Sequence, residues 1–312
     1  MIGTEDTHTI KAKFVIDRMS EISSYVSLQG NIGAGKSTLL KSIKKYLINN
    51  GRLAVSLNDN ILEEEEAEAE QITSNGNCFC SKNDHMDYFI VIDEPLVSWT
   101  ESTYSIGKFK DELEGIDKSS SSSYSSILML YYSDMEKYGF LFQIKAFTSR
   151  LEHITDEISK INNYHKNCIK KPRIHIIAER SLRTDRVFFK NLYETNVITQ
   201  VEWAIYNEFY SFITQSVVKK ENMMLYLKTP PQKCYDRMCK RDRAEETNGE
   251  NSVLPDYLIS LNNQHDEMVK EFSLIKGNHV IDINFSEDMN QEQIDLSTTQ
   301  LMDDIIIRVS SI

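Results

Sequence analysis

Tyr25-Val26-Ser27-Leu28-Gln29-Gly30-Asn31-Ile32-Gly33-Ala34-Gly35-Lys36-Ser37-Thr38-Leu39-Leu40 reads as a buried strand, a glycine-rich turn and the start of a helix. Within it, Gly30 to Ser37 fits the pattern G-x-x-x-x-G-K-[ST], in the strand-then-helix context that gives the pattern its meaning. The glycines let successive backbone N–H groups turn inward and approach phosphate oxygens with no Cβ in the way. The helix N-terminus adds partial positive charge. Lys36 is then placed for the β- and γ-phosphates of a nucleoside triphosphate, and the Ser37 hydroxyl for its Mg²⁺.

Four further apolar runs follow: Tyr88–Ile92, Ile174–Ala178, Met223–Lys228 and His279–Ile283. With Tyr25–Gln29 they are nearly continuous rather than alternating, the signature of strands covered on both faces. Helical spacing separates them: Leu39, Leu40, Ile43 and Leu47; Phe142, Ala146 and Leu151; Trp203, Ile205, Phe209 and Phe212. The expected fold is α/β, a five-stranded parallel sheet flanked by helices. Residues 1–24 are expected to be a tail and 25–312 one domain. Two polar, low-complexity segments, about 51–87 and 110–126, read as loop insertions.

The net charge of −12 is concentrated in Glu63-Glu64-Glu65-Glu66, Glu68 and Glu70, so the chain lacks the basic face that a long nucleic acid requires. No 18-residue apolar stretch proposes a membrane span. The N-terminal stretch has neither a secretory pattern nor the acid-poor character of a transit peptide. The odd count of five cysteines fits a reducing compartment, so a cytoplasmic location is expected. Cys78, Cys80 and His85 are three zinc-type ligands without a fourth.

In parallel α/β sheets ligands sit at the carboxyl ends of strands. There the sequence places Asp93-Glu94-Pro95 with Trp99, then Glu179-Arg180-Ser181 with Asp185-Arg186, then Thr229-Pro230. The last pair reads as an N-cap and a first-turn proline, opening a helix that ends in Arg237, Lys240, Arg241 and Arg243. Taken singly, each has a plainer reading: a surface carboxylate, a structural ion pair, a solvated helix face. Together they put charge at the sheet edge that carries the phosphate loop. Gln143 and Arg150, seven apart, share a helix face, and the Gln143 amide offers a donor and an acceptor.

These motifs, with Phe140-Leu141-Phe142-Gln143, Asn191-Leu192-Tyr193-Glu194, Glu202-Trp203, Arg237–Glu246 and Tyr257–His265, resemble the deoxynucleoside kinase family in its deoxycytidine, deoxyguanosine and deoxyadenosine kinase branch. The resemblance runs from about Tyr25 to the C-terminus, apart from the two insertions. It implies ATP-dependent phosphorylation of a deoxyribonucleoside 5′-hydroxyl, purine deoxynucleosides slightly favoured over deoxycytidine. By resemblance, Glu94 is the general base and Arg180 stands by the hydroxyl and the transferring phosphate. Glu179 joins Ser37 on Mg²⁺. Gly30, Asn31, Ile32, Gly33, Ala34, Gly35, Lys36, Ser37 and Thr38 hold the ATP phosphates under a lid of Arg237, Arg241 and Arg243. Tyr132 and Glu246 hold the sugar 3′-hydroxyl. Trp99, Phe142 and Phe189 line the base pocket, Gln143 reads the base, and the Arg150–Asp185 pair marks the branch. A homodimer is also implied. Three features depart from the family: extra residues between the first helix and Glu94, the stretch Thr247–Leu254 after the lid, and Tyr131 in the substrate pocket where methionine is common. The alternatives are a thymidylate-type monophosphate kinase, which must neutralise an acceptor phosphate, and a non-catalytic kinase-like subunit.

Overall fold

The computed structural model describes residues 22–52, 87–101, 103–105, 124–165, 173–217, 221–243, 246 and 253–310. The expected tail (residues 1–24) and the two expected insertions lie largely outside these residues. So do Cys78, Cys80 and His85, and most of Thr247–Leu254.

All five expected strands form, in one parallel sheet ordered β2-β5-β1-β6-β7. They are β1 (Ile22–Gln29), β2 (Asp87–Ile92), β5 (Arg173–Glu179), β6 (Glu221–Lys228) and β7 (His279–Asn284). Each apolar run extends by one to three residues, most of them polar, because backbone pairing continues past the side chains that signal it; Leu28 pairs Glu179, and Lys228 pairs Asn284. β1, the strand that feeds the glycine turn, is central, and Val26 and Leu28 are fully buried. β3 (Thr103–Ser105) and β4 (Tyr124–Ser126) make a small antiparallel pair. The insertion expected at 110–126 therefore ends in a strand, and Ser126 caps the next helix by accepting from the Met129 amide.

Nine helices complete the described residues: α1 (Lys36–Asn49), α2 (Val97–Thr100), α3 (Ile127–Ser133), α4 (Met135–His165), α5 (Leu182–Glu194), α6 (Gln200–Val217), α7 (Pro231–Arg241), α8 (Pro255–Ser273) and α9 (Gln291–Ser310). α1 buries Leu39, Leu40, Ile43 and Leu47, the spacing read from sequence. α5 starts in a capping box between Ser181 and Thr184. Thr229 is not the cap of α7 that the sequence suggests. Pro230 takes that position, and the Thr229 hydroxyl donates to the Ala34 carbonyl at 3.0 Å, tying β6 to the glycine turn. The segment that follows α1 leaves from beside β2, since the Phe89 amide donates to the Arg52 carbonyl at 2.9 Å. Inserted length between two such anchored points adds only slowly to closure entropy. Among the described residues no helix is long and apolar enough to cross a membrane.

Candidate active site

The carboxyl ends of β1, β2 and β5 open into a cavity of about 460 Å³ that runs from the glycine turn to an aromatic slot. The turn needs glycine at two places. Gly33 has φ +75°, and a Cβ there would lie 2.3 Å from the Cys234 carbonyl oxygen; Gly35 has φ +101°, and its Cβ would press on the Phe285 ring at 2.7 Å. Ile32, Gly33, Gly35, Lys36, Ser37 and Thr38 face the cavity. Gly30, Asn31 and Ala34 build the turn without lining it. The Asn31 side chain points away from the cavity, donating to the Leu258 carbonyl on α8 at 2.7 Å. Lys36 Nζ donates to the carbonyls of Asn31 (2.8 Å) and Gly30 (3.3 Å).

Of the two adjacent acids after β2, Asp93 is drawn to Lys44 on α1 at 2.6 Å, and Glu94 is left in the cavity. Glu94 Oε1 lies 3.1 Å from Arg180 Nε and 3.5 Å from Arg150 Nη2. Burial alone would push the Glu94 carboxyl up, but Arg180, then Arg150, Lys36 and Arg243, hold it below the usual range. Arg180 is left-handed at φ 68°, a conformation rare outside glycine. Its amide donates to the Leu28 carbonyl at 2.9 Å, and its guanidinium lies 4.7 Å over the Phe188 ring. Arg180 thus faces Glu94, and Glu179 pairs elsewhere, accepting from the Ser37 hydroxyl at 3.2 Å. Burial raises the Glu179 carboxyl. A hydroxyl and a carboxylate beside a phosphate cradle are hard oxygen donors, a set that fits Mg²⁺.

The far wall is built by α2, α3, α4 and α5, the last bringing Asp185 and Phe188. α2 brings Trp99, whose Nε1 donates to Ser149 Oγ at 2.8 Å and whose ring meets Phe142 edge-on at 5.5 Å. α3 brings Tyr131, stacked on Phe142 at 4.5 Å, and Tyr132. Phe142, Gln143, Ala146 and Arg150 share one face of α4. Arg150 is buried; its Nε donates to Asp185 Oδ2 at 3.0 Å, its Nη2 to Oδ1 at 3.2 Å, and its Nη1 to the Glu179 carbonyl at 3.0 Å. Burial would lower Arg150, but Asp185 and then Glu94 hold it fully charged.

One expected residue is displaced. Phe189 does not line the cavity: it is buried against Tyr206 at 4.0 Å, between α5 and α6, and Phe188 takes the cavity face. Leu96, Leu128 and Ala146 also line the slot, and as plain apolar residues they carry no sequence signal of their own. At the mouth, Arg237, Arg241 and Arg243 all reach the cavity. Arg237 Nη2 donates to the Glu287 carbonyl at 3.0 Å, while Arg241 and Arg243 donate to Glu246 at 2.5 and 2.8 Å.

The family model for deoxynucleoside kinase matches residues 79–306. A deoxycytidine kinase 2 from Gallus gallus is 27% identical over 279 residues, 86% of this chain and 84% of that one. A mitochondrial deoxyguanosine kinase from Xenopus laevis is 24% identical over 249 residues, 76% of this chain and 89% of the relative. Among solved structures, a deoxyadenosine kinase from M. mycoides with bound dCTP shares the fold with a TM-score of 0.51 at 19% identity, covering 89% of this chain and 99% of that one. The chain belongs to the deoxynucleoside kinase family, as a phosphotransferase acting on a deoxyribonucleoside.

Proposed function

We propose that the chain transfers the γ-phosphoryl group of ATP to the 5′-hydroxyl of a deoxyribonucleoside, with purine deoxynucleosides favoured over deoxycytidine. The observation that carries this reading is the position of Glu94, an ionised carboxylate in a cavity shared by the phosphate turn and the aromatic slot. The nucleoside base lies in the slot among Trp99, Tyr131, Phe142 and Phe188, with Gln143 on its edge. Gln143 is almost fully buried, and its Nε2 has no hydrogen-bond partner among the described residues, a donor that a base edge would satisfy. Tyr132 and Glu246 hold the sugar, which leaves the 5′-hydroxyl toward Glu94.

Glu94 accepts the hydroxyl proton as the oxygen attacks phosphorus. Arg180 stabilises the charge gathering on the transferring phosphoryl group, and Lys36 and the turn amides hold the triphosphate in line. Ser37 and Glu179 would hold Mg²⁺, which when bound would screen the phosphate charge. Arg237, Arg241 and Arg243 cover the donor from the mouth. The Arg150–Asp185 pair, with both charges desolvated and mutually satisfied, forms a rigid polar floor that restricts which bases fit.

An ATP-dependent phosphorylation panel over the four deoxynucleosides, their ribose counterparts and dTMP tests the reading. The expected outcome is a 5′-monophosphate from deoxynucleosides, most efficiently from a purine, and no product from dTMP, whose phosphate would meet Glu94. Turnover of dTMP with none of any nucleoside would contradict it.

A further inference from the structure

Arg180, the cation that faces Glu94, is not anchored through its own guanidinium. Its Nε, 3.1 Å from Glu94 Oε1, and its Nη1 are buried and make no hydrogen bond among the described residues. Its backbone is left-handed, at φ 68°, a conformation that a residue other than glycine keeps only where its surroundings enforce it. The enforcement comes from β1, the strand that feeds the phosphate turn. The Leu28 carbonyl accepts from the Arg180 amide at 2.9 Å, and the Tyr25 hydroxyl donates to the Arg180 carbonyl at 3.5 Å. Between these residues and the turn stands Gln29, fully buried and directly before Gly30. Its Nε2 donates to Ser181 Oγ at 3.1 Å, and its Oε1 accepts from the Thr184 hydroxyl. Neither contact is needed to cap α5. Ser181 Oγ already accepts from the Arg183 amide at 3.3 Å, and Thr184 Oγ1 from the Ser181 amide at 3.3 Å. What the Gln29 amide adds is a bond from β1 to both hydroxyls of that capping box, which fixes the start of α5, and with it Arg180, against the phosphate turn.

We infer that Gln29 is a positioning residue for phosphoryl transfer: its side chain ties the strand that carries the phosphate turn to the helix start that aims Arg180, and so keeps donor phosphate and acceptor site in line. Gln29 does not line the cavity and acts through Arg180. The inference rests on the kinase reading above and adds a residue to which that reading gives no role.

Gln29→Met keeps the length of the side chain and removes both hydrogen bonds. Rapid-quench measurements on the deoxynucleoside that wild type turns over fastest should show turnover reduced by about 10²-fold, the cost of misplacing a reacting group by ~1 Å, with ATP affinity and nucleoside KM changed by no more than a few-fold. A second readout is the pH profile. Burial raises the Glu94 carboxyl, and Arg180 is the strongest influence holding it down. A displaced guanidinium lets that carboxyl rise, so the acid limb of turnover should move to higher pH in Gln29→Met. The third is a double-mutant cycle. In an Arg180→Ala background Gln29→Met should cost nothing further, since no guanidinium is left to aim, whereas a purely structural role would lower turnover by the same factor in both backgrounds. Should Gln29→Met fail to fold, as read by urea unfolding, Thr184→Val cuts the same contact from α5 and carries the same three expectations. Turnover equal to wild type, an unmoved acid limb, or independent losses from the two substitutions would each overturn the inference while leaving the kinase reading intact. A wild type inactive on every nucleoside would instead remove the kinase reading beneath it.

Discussion

At the scale of single residues, Lys36 sets a pH dependence for the donor site. Burial, then the neighbouring Arg180, push its ammonium down to about 7, and Glu179 and Glu94 limit the fall. In the free protein Lys36 is therefore charged below about pH 7 and loses its proton above it. A triphosphate stabilises the charged form, so its pKa is higher in the complex, and ATP binding above neutrality takes up a proton. Calorimetry at pH 8 with saturating Mg²⁺, in buffers of different ionisation enthalpy, should report uptake of about one proton, with affinity weakening as pH rises from 7 to 9. Lys36→Arg, whose guanidinium stays charged, should abolish the uptake. Absence of uptake in the wild type would mean that Lys36 is already charged before the nucleotide arrives. The motif pattern alone located Lys36; the pH behaviour was not legible there, because it depends on Arg180 and Glu179, far away in sequence.

At the scale of elements, α4 and α5 are joined by the buried Arg150–Asp185 pair. Asp185→Ala would leave the guanidinium desolvated with only Glu94, at 3.5 Å, and a carbonyl for company. Its expected cost is about 3–5 kcal/mol of stability. Urea unfolding checks this, and a midpoint equal to that of wild type would show that the pair is not the joint between these helices. The same pair of helices shows where sequence reading stops. Phe188 and Phe189 follow Asp185 by three and four residues, so both lie near its face of α5 and spacing does not choose between them. The choice comes from α6, which offers Tyr206 to Phe189 and leaves Phe188 to Arg180. Thr229 was misread for a related reason. A threonine before two prolines has local cap chemistry, but Ala34, nearly two hundred residues away, provides its acceptor.

At the scale of the whole molecule, the sheet was legible because four of its five runs are buried and so carry nearly unbroken apolar sequence, while β7, at the edge, is only partly buried. The β3–β4 pair was not, since three-residue strands have too few side chains to display a period. The acidic and basic groups of the site were legible because strand ends of a parallel sheet converge, which turns scattered motifs into one cavity. Its apolar walls, Leu96 and Leu128 among them, were not, since only packing separates them from core. What unites the molecule is the convergence of Glu94 from β2, Arg180 from β5 and the phosphate turn from β1. Glu94→Gln keeps the size of that side chain and removes its basicity, so one comparison of variant with wild type isolates proton transfer. Rapid-quench phosphorylation of deoxyguanosine, alongside equilibrium binding of ATP, should show a turnover loss of about 10²–10⁴-fold with ATP affinity changed by no more than a few-fold. A variant that turns over near the wild-type rate would contradict the account at its centre.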